Sequence, residues 1–150
     1  MLKEGDKAPA FTLNDEAGNT VSLKDFAGKK VVVYFYPKDD TPGCTREACS
    51  FRDSYDAILE KGAVVVGISP DDEKSHEEFK TKYDLPFYLL ADPEKKTIRA
   101  FGAWGEKKRD GKSYEGVIRS TFVVDENGTI IKAWPEVNPS EHAQEVLAVL

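Results

Sequence analysis

Hydrophobic residues fall either in short continuous runs or in longer stretches where they recur every three or four positions, which predicts strands interleaved with helices. The clearest run is Val31 to Tyr36, opened by Lys30. It is β-branched and aromatic at successive positions, as expected of a strand covered on both faces, and Pro37 ends it. From Thr41 to about Lys61, Ala48, Phe51, Tyr55, Ile58 and Leu59 recur at spacings of three and four, predicting an amphipathic helix stopped by Gly62. A second continuous strand is expected at Ala63 to Ser69, then a polar helix from about Asp72 to Tyr83 introduced by Ser69-Pro70-Asp71-Asp72.

The flanks complete the pattern. Phe11 to Leu13 and Thr20 to Leu23 are short strands joined by the polar turn Asp15 to Asn19, an amino-terminal hairpin. Phe87 to Ala91 predicts a strand and Pro93 to Phe101 a short helix. Val117 to Asp125 with Thr129 to Trp134 predict a hairpin closed by Glu126-Asn127-Gly128, and Ser140 to Leu150 a last helix. Gly102 to Gly116, rich in glycine and charge, is expected to be the longest loop. The expectation is an α/β sandwich with a mixed central sheet flanked by helices, with residues 1–150 forming one domain.

A chain of 150 residues can bury roughly 70% of its extended surface, so its core needs no metal or disulfide staple. The 21 Lys and Arg against 27 Asp and Glu give a net charge of −6, and no basic stretch marks a nucleic-acid or anionic-membrane partner. The longest apolar runs fall far short of a membrane span. The amino terminus carries no apolar core of the signal-peptide kind, so a cytoplasmic location is expected. There, two cysteines form no disulfide framework; Cys44 and Cys49 instead raise a redox or nucleophilic reading.

The segment Pro37 to Cys49 lies where the central strand feeds the first long helix, at the carboxyl end of a strand, where open α/β sheets place their ligands. Thr41 suits the N-cap and Pro42 the first helical position, which puts Cys44 at about the third helical residue. Unpaired amides and the positive end of the helix dipole there favour a thiolate. A capping Thr41 would hold its hydroxyl beside the sulfur, ready to donate to and accept from a small polar substrate. The plainer reading is that Cys44 is a small apolar residue packed at a helix start. Cys49 lies five residues on, about 140° around and ~7.5 Å along an unbroken helix, so a Cys44–Cys49 bridge would require the first turns to unwind. It too has a plain reading, a buried helical cysteine. His76 and His142 sit on polar helix stretches, where exposed, non-catalytic roles are expected; with no paired-ligand motif, no metal site is expected. Trp104 and Trp134 are expected as partly buried packing residues, and Asp39 and Asp40 carry no assigned role.

Pro37-x-x-x-Thr41-x-x-Cys44 resembles the active-site motif of peroxiredoxins, and Pro42-Gly43-Cys44-Thr45-x-x-x-Cys49 resembles the PrxQ, or bacterioferritin comigratory protein, branch. The likeness extends to Gly5 to Phe11, Val64 to Ser69, Asp84 to Asp92 and Arg119-Ser120-Thr121-Phe122. It implies a thioredoxin-like fold and a peroxidase that reduces hydrogen peroxide and organic hydroperoxides. By the same resemblance Cys44 is the peroxidatic cysteine and Cys49 the resolving one, forming an intramolecular disulfide that thioredoxin or a similar dithiol protein reduces. Thr41 would bond the peroxide, Arg119 would hold the thiolate and peroxide oxygens, Pro37 would shield the site, and Glu47 would orient Arg119. No cofactor is implied, and a monomer is expected rather than a dimer. Two other readings remain open: a thioredoxin-like disulfide reductase, which the cysteine spacing disfavours, and a binding module with structural cysteines.

Overall fold

The computed structural model describes residues 2–150. A hairpin of β1 (Thr12–Asp15) and β2 (Thr20–Ser22) is followed by a 3-10 turn (Leu23–Phe26). Then come β3 (Lys30–Phe35), α1 (Pro42–Glu60), β4 (Ala63–Ser69), α2 (Glu73–Tyr83), β5 (Tyr88–Ala91) and α3 (Lys96–Ala100). The remaining elements are β6 (Trp104–Arg109), β7 (Lys112–Val117), β8 (Ser120–Val124), β9 (Ile130–Trp134) and α4 (His142–Leu147).

Seven strands form a mixed sheet in the order β2-β1-β5-β4-β3-β8-β9. The central strands β3, β4 and β5 run parallel, with Val32 opposite Val65 and Val66 opposite Tyr88, while β8 pairs antiparallel with β3, Val33 facing Phe122. Alternation along these strands feeds two cores. Val31, Val33 and Phe35 face the layer containing Phe101, Phe122 and Ile98. Val32, Tyr34 and Tyr36 face Phe51, Ile58, Phe79 and Phe87, beneath α1 and α2. Burying each large apolar side chain contributes roughly 1.5–3 kcal/mol, so both faces of the central strands are strongly specified. This explains why β3 and β4 read as unbroken apolar runs.

The predicted elements are present within a few residues, with three corrections. The segment Gly102 to Gly116, expected as a loop, is mostly a two-stranded hairpin of β6 and β7, with Glu106 opposite Glu115. Its turn is Asp110-Gly111, both in the left-handed region at φ 53 and 76, the conformation a two-residue hairpin turn requires and glycine tolerates. Charged side chains mask the strand pattern because little of this hairpin is buried. The strand expected from Val117 to Asp125 is broken: Val117 ends β7 in the small sheet and Ser120 begins β8 in the large one, leaving Ile118 and Arg119 at the seam. Finally, His76 and His142, expected at the surface, are both 0% exposed.

At Gly67 on β4 an added Cβ would lie 2.8 Å from Tyr34 Cζ, and the Tyr34 ring stacks on Phe51 of α1 with centroids 4.9 Å apart. Replacing Gly67 with alanine is expected to cost about 1–3 kcal/mol, the range for overpacking a filled core. Urea denaturation checks this, and an unchanged midpoint would mean that the ring has room to shift.

Candidate active site

Pro37 ends β3, and four residues later the chain enters α1 with Thr41 at the N-cap in extended backbone (φ −94, ψ 156) and Pro42 at the first helical position. Cys44 is therefore the third residue of the helix, turned inward and only 1% exposed. The expected capping bond is not made. Thr41 Oγ1 donates instead to the Lys38 carbonyl at 2.9 Å, because the turn that carries the chain off β3 leaves that acceptor closer to hand than the helix amides. The hydroxyl thus has its proton committed to the loop and its lone pairs free.

Arg119 reaches the sulfur from just before β8, the strand next to β3, which is far along the chain but adjacent in the sheet. Placed at the seam between β7 and β8, it donates from Nη2 to Cys44 Sγ at 3.2 Å and from Nη1 to Glu47 Oε1 at 2.8 Å. Glu47 lies one turn after Cys44 on the same helix face and is 0% exposed, so the two residues present a sulfur and a carboxyl to one guanidinium. Gly43 makes that approach possible. A Cβ there would stand 3.2 Å from Arg119 Nη2, tighter than ordinary packing allows.

Burial dominates the titration of Glu47 and pushes its carboxyl up to about 7, against the opposing pull of the Arg119 charge and hydrogen bond. Arg119 shows the converse balance: burial disfavours its cation, yet Glu47 and the Cys44 sulfur hold it above its ordinary value. A second cation, Lys107 on β6, donates to the Val117 carbonyl at 2.8 Å and is shifted downward, by burial first and then by Arg119. It belongs to the hairpin expected as a loop, so no sequence signal singled it out.

Pro37 and Thr41 line a groove of roughly 450 Å³ together with Trp104, Lys107 and Tyr114 from the hairpin. The apolar cavity of roughly 260 Å³ at the opposite end of the sheet is lined by residues such as Phe26, Val31 and Val124 and contains neither cysteine. Cys49 is half-buried on α1, both cysteines are free thiols, and the helix runs unbroken through them. The structure thus gathers Cys44, Glu47 and Arg119 into direct contact, sets Pro37 and Thr41 at the groove beside them, and leaves Cys49 farther along the helix. His142, far from its expected exposed role, packs edge-on against Phe51 and Trp134, and burial lowers its basicity.

Residues 4–133 match the AhpC/TSA family. Over 149 residues the chain is 50% identical to peroxiredoxin Bcp of Bacillus subtilis, covering 99% of this chain and 95% of that protein. Among solved structures it resembles the bacterioferritin comigratory protein of Xanthomonas campestris, which has alkyl peroxide reduction activity. The TM-score is 0.88 at 37% identity, over 93% of this chain and 88% of that one. A PrxQ variant from Xylella fastidiosa superposes with a TM-score of 0.93 at 31% identity, over 99% and 95% of the two chains. The thioredoxin-like fold expected from the sequence is therefore present.

The raised Glu47 carboxyl predicts a pH signature. A carboxyl that binds its proton more tightly folded than unfolded loses stability as pH rises from about 4.5 to about 7. Glu47→Gln keeps an oxygen for Arg119 but cannot ionise. Relative to the parent it should gain on the order of 3 kcal/mol between pH 4.5 and pH 8 by urea denaturation. A difference independent of pH would show that the carboxyl ionises normally in place.

Proposed function

The chain belongs to the AhpC/TSA family and is a thiol peroxidase of the PrxQ type, and from that premise we propose that Cys44 attacks the peroxide, Cys49 resolves the product, and Thr41, Arg119, Pro37 and Glu47 prepare the attack. The observation that carries this assignment is the Arg119 guanidinium bridging the Cys44 sulfur and the Glu47 carboxyl.

In the first step the Cys44 thiolate gives an electron pair to the terminal oxygen of a hydroperoxide. The sulfur–oxygen bond forms, the oxygen–oxygen bond breaks, and Cys44 becomes a sulfenic acid while water or an alcohol leaves after taking a proton. Arg119 holds the sulfur in place by its hydrogen bond and then stabilises the negative charge arriving on the leaving oxygen, but it remains charged and so is not the proton donor. Glu47 holds one end of the guanidinium so that the other stays aimed at the sulfur. Thr41, its hydroxyl proton turned to Lys38, offers lone pairs to the peroxide O–H, and Pro37 covers the approach.

In the second step the Cys49 thiolate attacks the Cys44 sulfur, a disulfide forms, the sulfur–oxygen bond breaks, and the departing hydroxide is protonated to water. Five residues on a helix separate the two sulfurs, so the first turns of α1 must open, a local unfolding event. A dithiol protein, thioredoxin or one like it, then returns two electrons by exchange. The whole chain acts as one monomeric catalytic unit in the cytoplasm, on hydrogen peroxide and organic hydroperoxides. No helix among the described residues is long and apolar enough to cross a membrane.

Titrating the reduced protein with one equivalent of hydrogen peroxide should yield a species lighter by two hydrogens, with peptide mapping linking Cys44 to Cys49. Cys44→Ser should abolish peroxide consumption. Cys49→Ser should react once, stop at a sulfenic acid and lose thioredoxin-linked turnover; undiminished turnover would sink the resolving role. Arg119→Ala should slow the first oxidation by about 10²–10³, the scale of losing one transition-state charge donor. Its fold should persist, because Glu47 can neutralise itself by taking a proton.

A further inference from the structure

The polar cluster with the most buried hydrogen bonds outside the cysteine site is centred on Asp39, in the segment that carries the chain from Pro37 to Thr41. Its carboxylate is almost completely buried and accepts three hydrogen bonds. Tyr36 Oη donates to Oδ1 at 2.6 Å, and Ser75 Oγ and His76 Nδ1 reach Oδ2 at 2.8 and 2.6 Å. The other ring nitrogen, His76 Nε2, lies 3.0 Å from the Leu90 carbonyl. A carbonyl can only accept, and this carboxylate is already accepting from two hydroxyls, so both ring nitrogens face acceptors. With Asp39 ionised, only the imidazolium satisfies both, and it does so inside the fold, where an unmatched polar atom is costly.

The same segment is held at two more points on the α2 side. The Asp39 amide donates to Asp71 Oδ2 at 2.8 Å, which also accepts from Ser69 Oγ. Asp40 sits in the left-handed region at φ 59, and its carboxylate accepts from Lys82 Nζ and Tyr83 Oη, both at 2.8 Å. Facing His76 are Tyr36 at the end of β3, Asp39 in the loop, Asp71 between β4 and α2, Ser75 on α2 and the Leu90 carbonyl on β5. Asp39 and Asp71 are the charged members. Residues Pro42 to Cys49 have no comparable staple to α2 among the described residues. They are held by helix hydrogen bonds, the inward packing of Ala48 and the Arg119 contacts.

We propose that Asp39 and His76 are positioning residues for the peroxidase reaction: their buried pair fixes the Pro37–Thr41 segment and thereby confines the opening of α1 to the turns between Pro42 and Cys49. The inference rests on the assignment of Cys44 and Cys49 made above. It separates two demands on one helix. The start of α1 must be fixed for attack, since misplacing a reacting group is expensive in rate. The turns after it must open for resolution. Weakening the pair therefore slows the first step and speeds the second. The Asp39 bond, the Leu90 carbonyl and Asp71 together outweigh the effect of burial and raise His76 above its ordinary value. The stabilisation is accordingly complete below about 6.5 and fades as pH rises through the raised value.

The test measures the two steps separately in His76→Gln, Ser75→Ala and the parent, using rapid mixing with limiting hydrogen peroxide and quenched mass analysis of sulfenic acid and disulfide. Ile98→Val, in the core on the opposite face of the sheet, serves as a stability control. In His76→Gln, sulfenic acid formation should fall about tenfold while disulfide formation rises severalfold. Ser75→Ala should move both rates the same way by less, and the effect of His76→Gln should shrink as pH rises from 6 to 9. The control should leave the ratio of the two rates unchanged. Rates within twofold of the parent, a parallel fall in both steps, or a pH-independent effect would each overturn the positioning role. If His76→Gln does not fold, Ser75→Ala decides by the same criterion. Oxidation of the parent at a sulfur other than Cys44 would instead overturn the underlying assignment, and the inference with it.

Discussion

A guanidinium held 3.2 Å from a buried sulfur is the contact around which this protein is arranged. Taking a cation out of water is unfavourable unless partners replace its hydration, and removing one member of a buried ion pair costs about 3–5 kcal/mol. Arg119 is tolerated because Glu47 meets it with a carboxyl that is itself completely buried. Each group is then kept in place by the need of the others: the carboxyl without the guanidinium would take a proton, and the guanidinium without the carboxyl would have less reason to stay inside. The sulfur receives a positive neighbour with a fixed direction. Gly43 contributes by absence, since any side chain there would occupy the space through which the guanidinium arrives.

This arrangement exists only while α1 is intact, yet the chemistry assigned to Cys49 needs part of α1 to open. Folded proteins open locally, in cooperative units of differing stability. On the far side, Phe51, Tyr55 and Ile58 pack into the sheet with Tyr34 and Phe87 and keep the helix body seated. On the near side the chain before Thr41 is hydrogen-bonded to α2 through Asp39 and Asp40. Between these anchors lies a short stretch whose tertiary fixation rests mainly on Cys44, Glu47 and Ala48. In the proposed reaction, oxidation of the sulfur would alter the Arg119 contact that holds it, and so would tie the redox state of Cys44 to the order of its own helix.

Much of the fold was legible because its central strands are buried on both faces and its long helix on one, and such burial imposes a pattern on consecutive residues. β3, β4 and α1 follow it closely. The β6–β7 hairpin does not, because its faces are largely exposed and its charged residues carry no alternation, so that the Asp110-Gly111 turn at its tip reads as part of a loop. His76 and His142 were misjudged for a related reason. His76 sits on a helix rich in charged residues, whose periodicity does not reveal which residue turns inward, while His142 opens the short helix α4, where nothing local marks that it packs against Phe51 and Trp134. Thr41 occupies the N-cap position, as its identity and the following Pro42 suggest, but a hydroxyl chooses among acceptors a few ångströms apart, and Lys38 won that choice.

What the residues along the chain determined by themselves is local. A strand ends at Pro37, a helix starts at Thr41-Pro42, a cysteine falls in its first turn, and a second cysteine follows at a spacing that an intact helix keeps apart. Backbone preference and side-chain periodicity act over a few residues, so sequence alone is enough for these. The pairing of Arg119 with Cys44 and Glu47, 75 and 72 residues away, and of Asp39 with His76, 37 residues away, was decided by tertiary structure. Those contacts arise because strand order sets β8 beside β3 and packs α2 next to the loop that follows it. A charge in water gains little from a distant partner; it gains a great deal once the fold has removed the water between them.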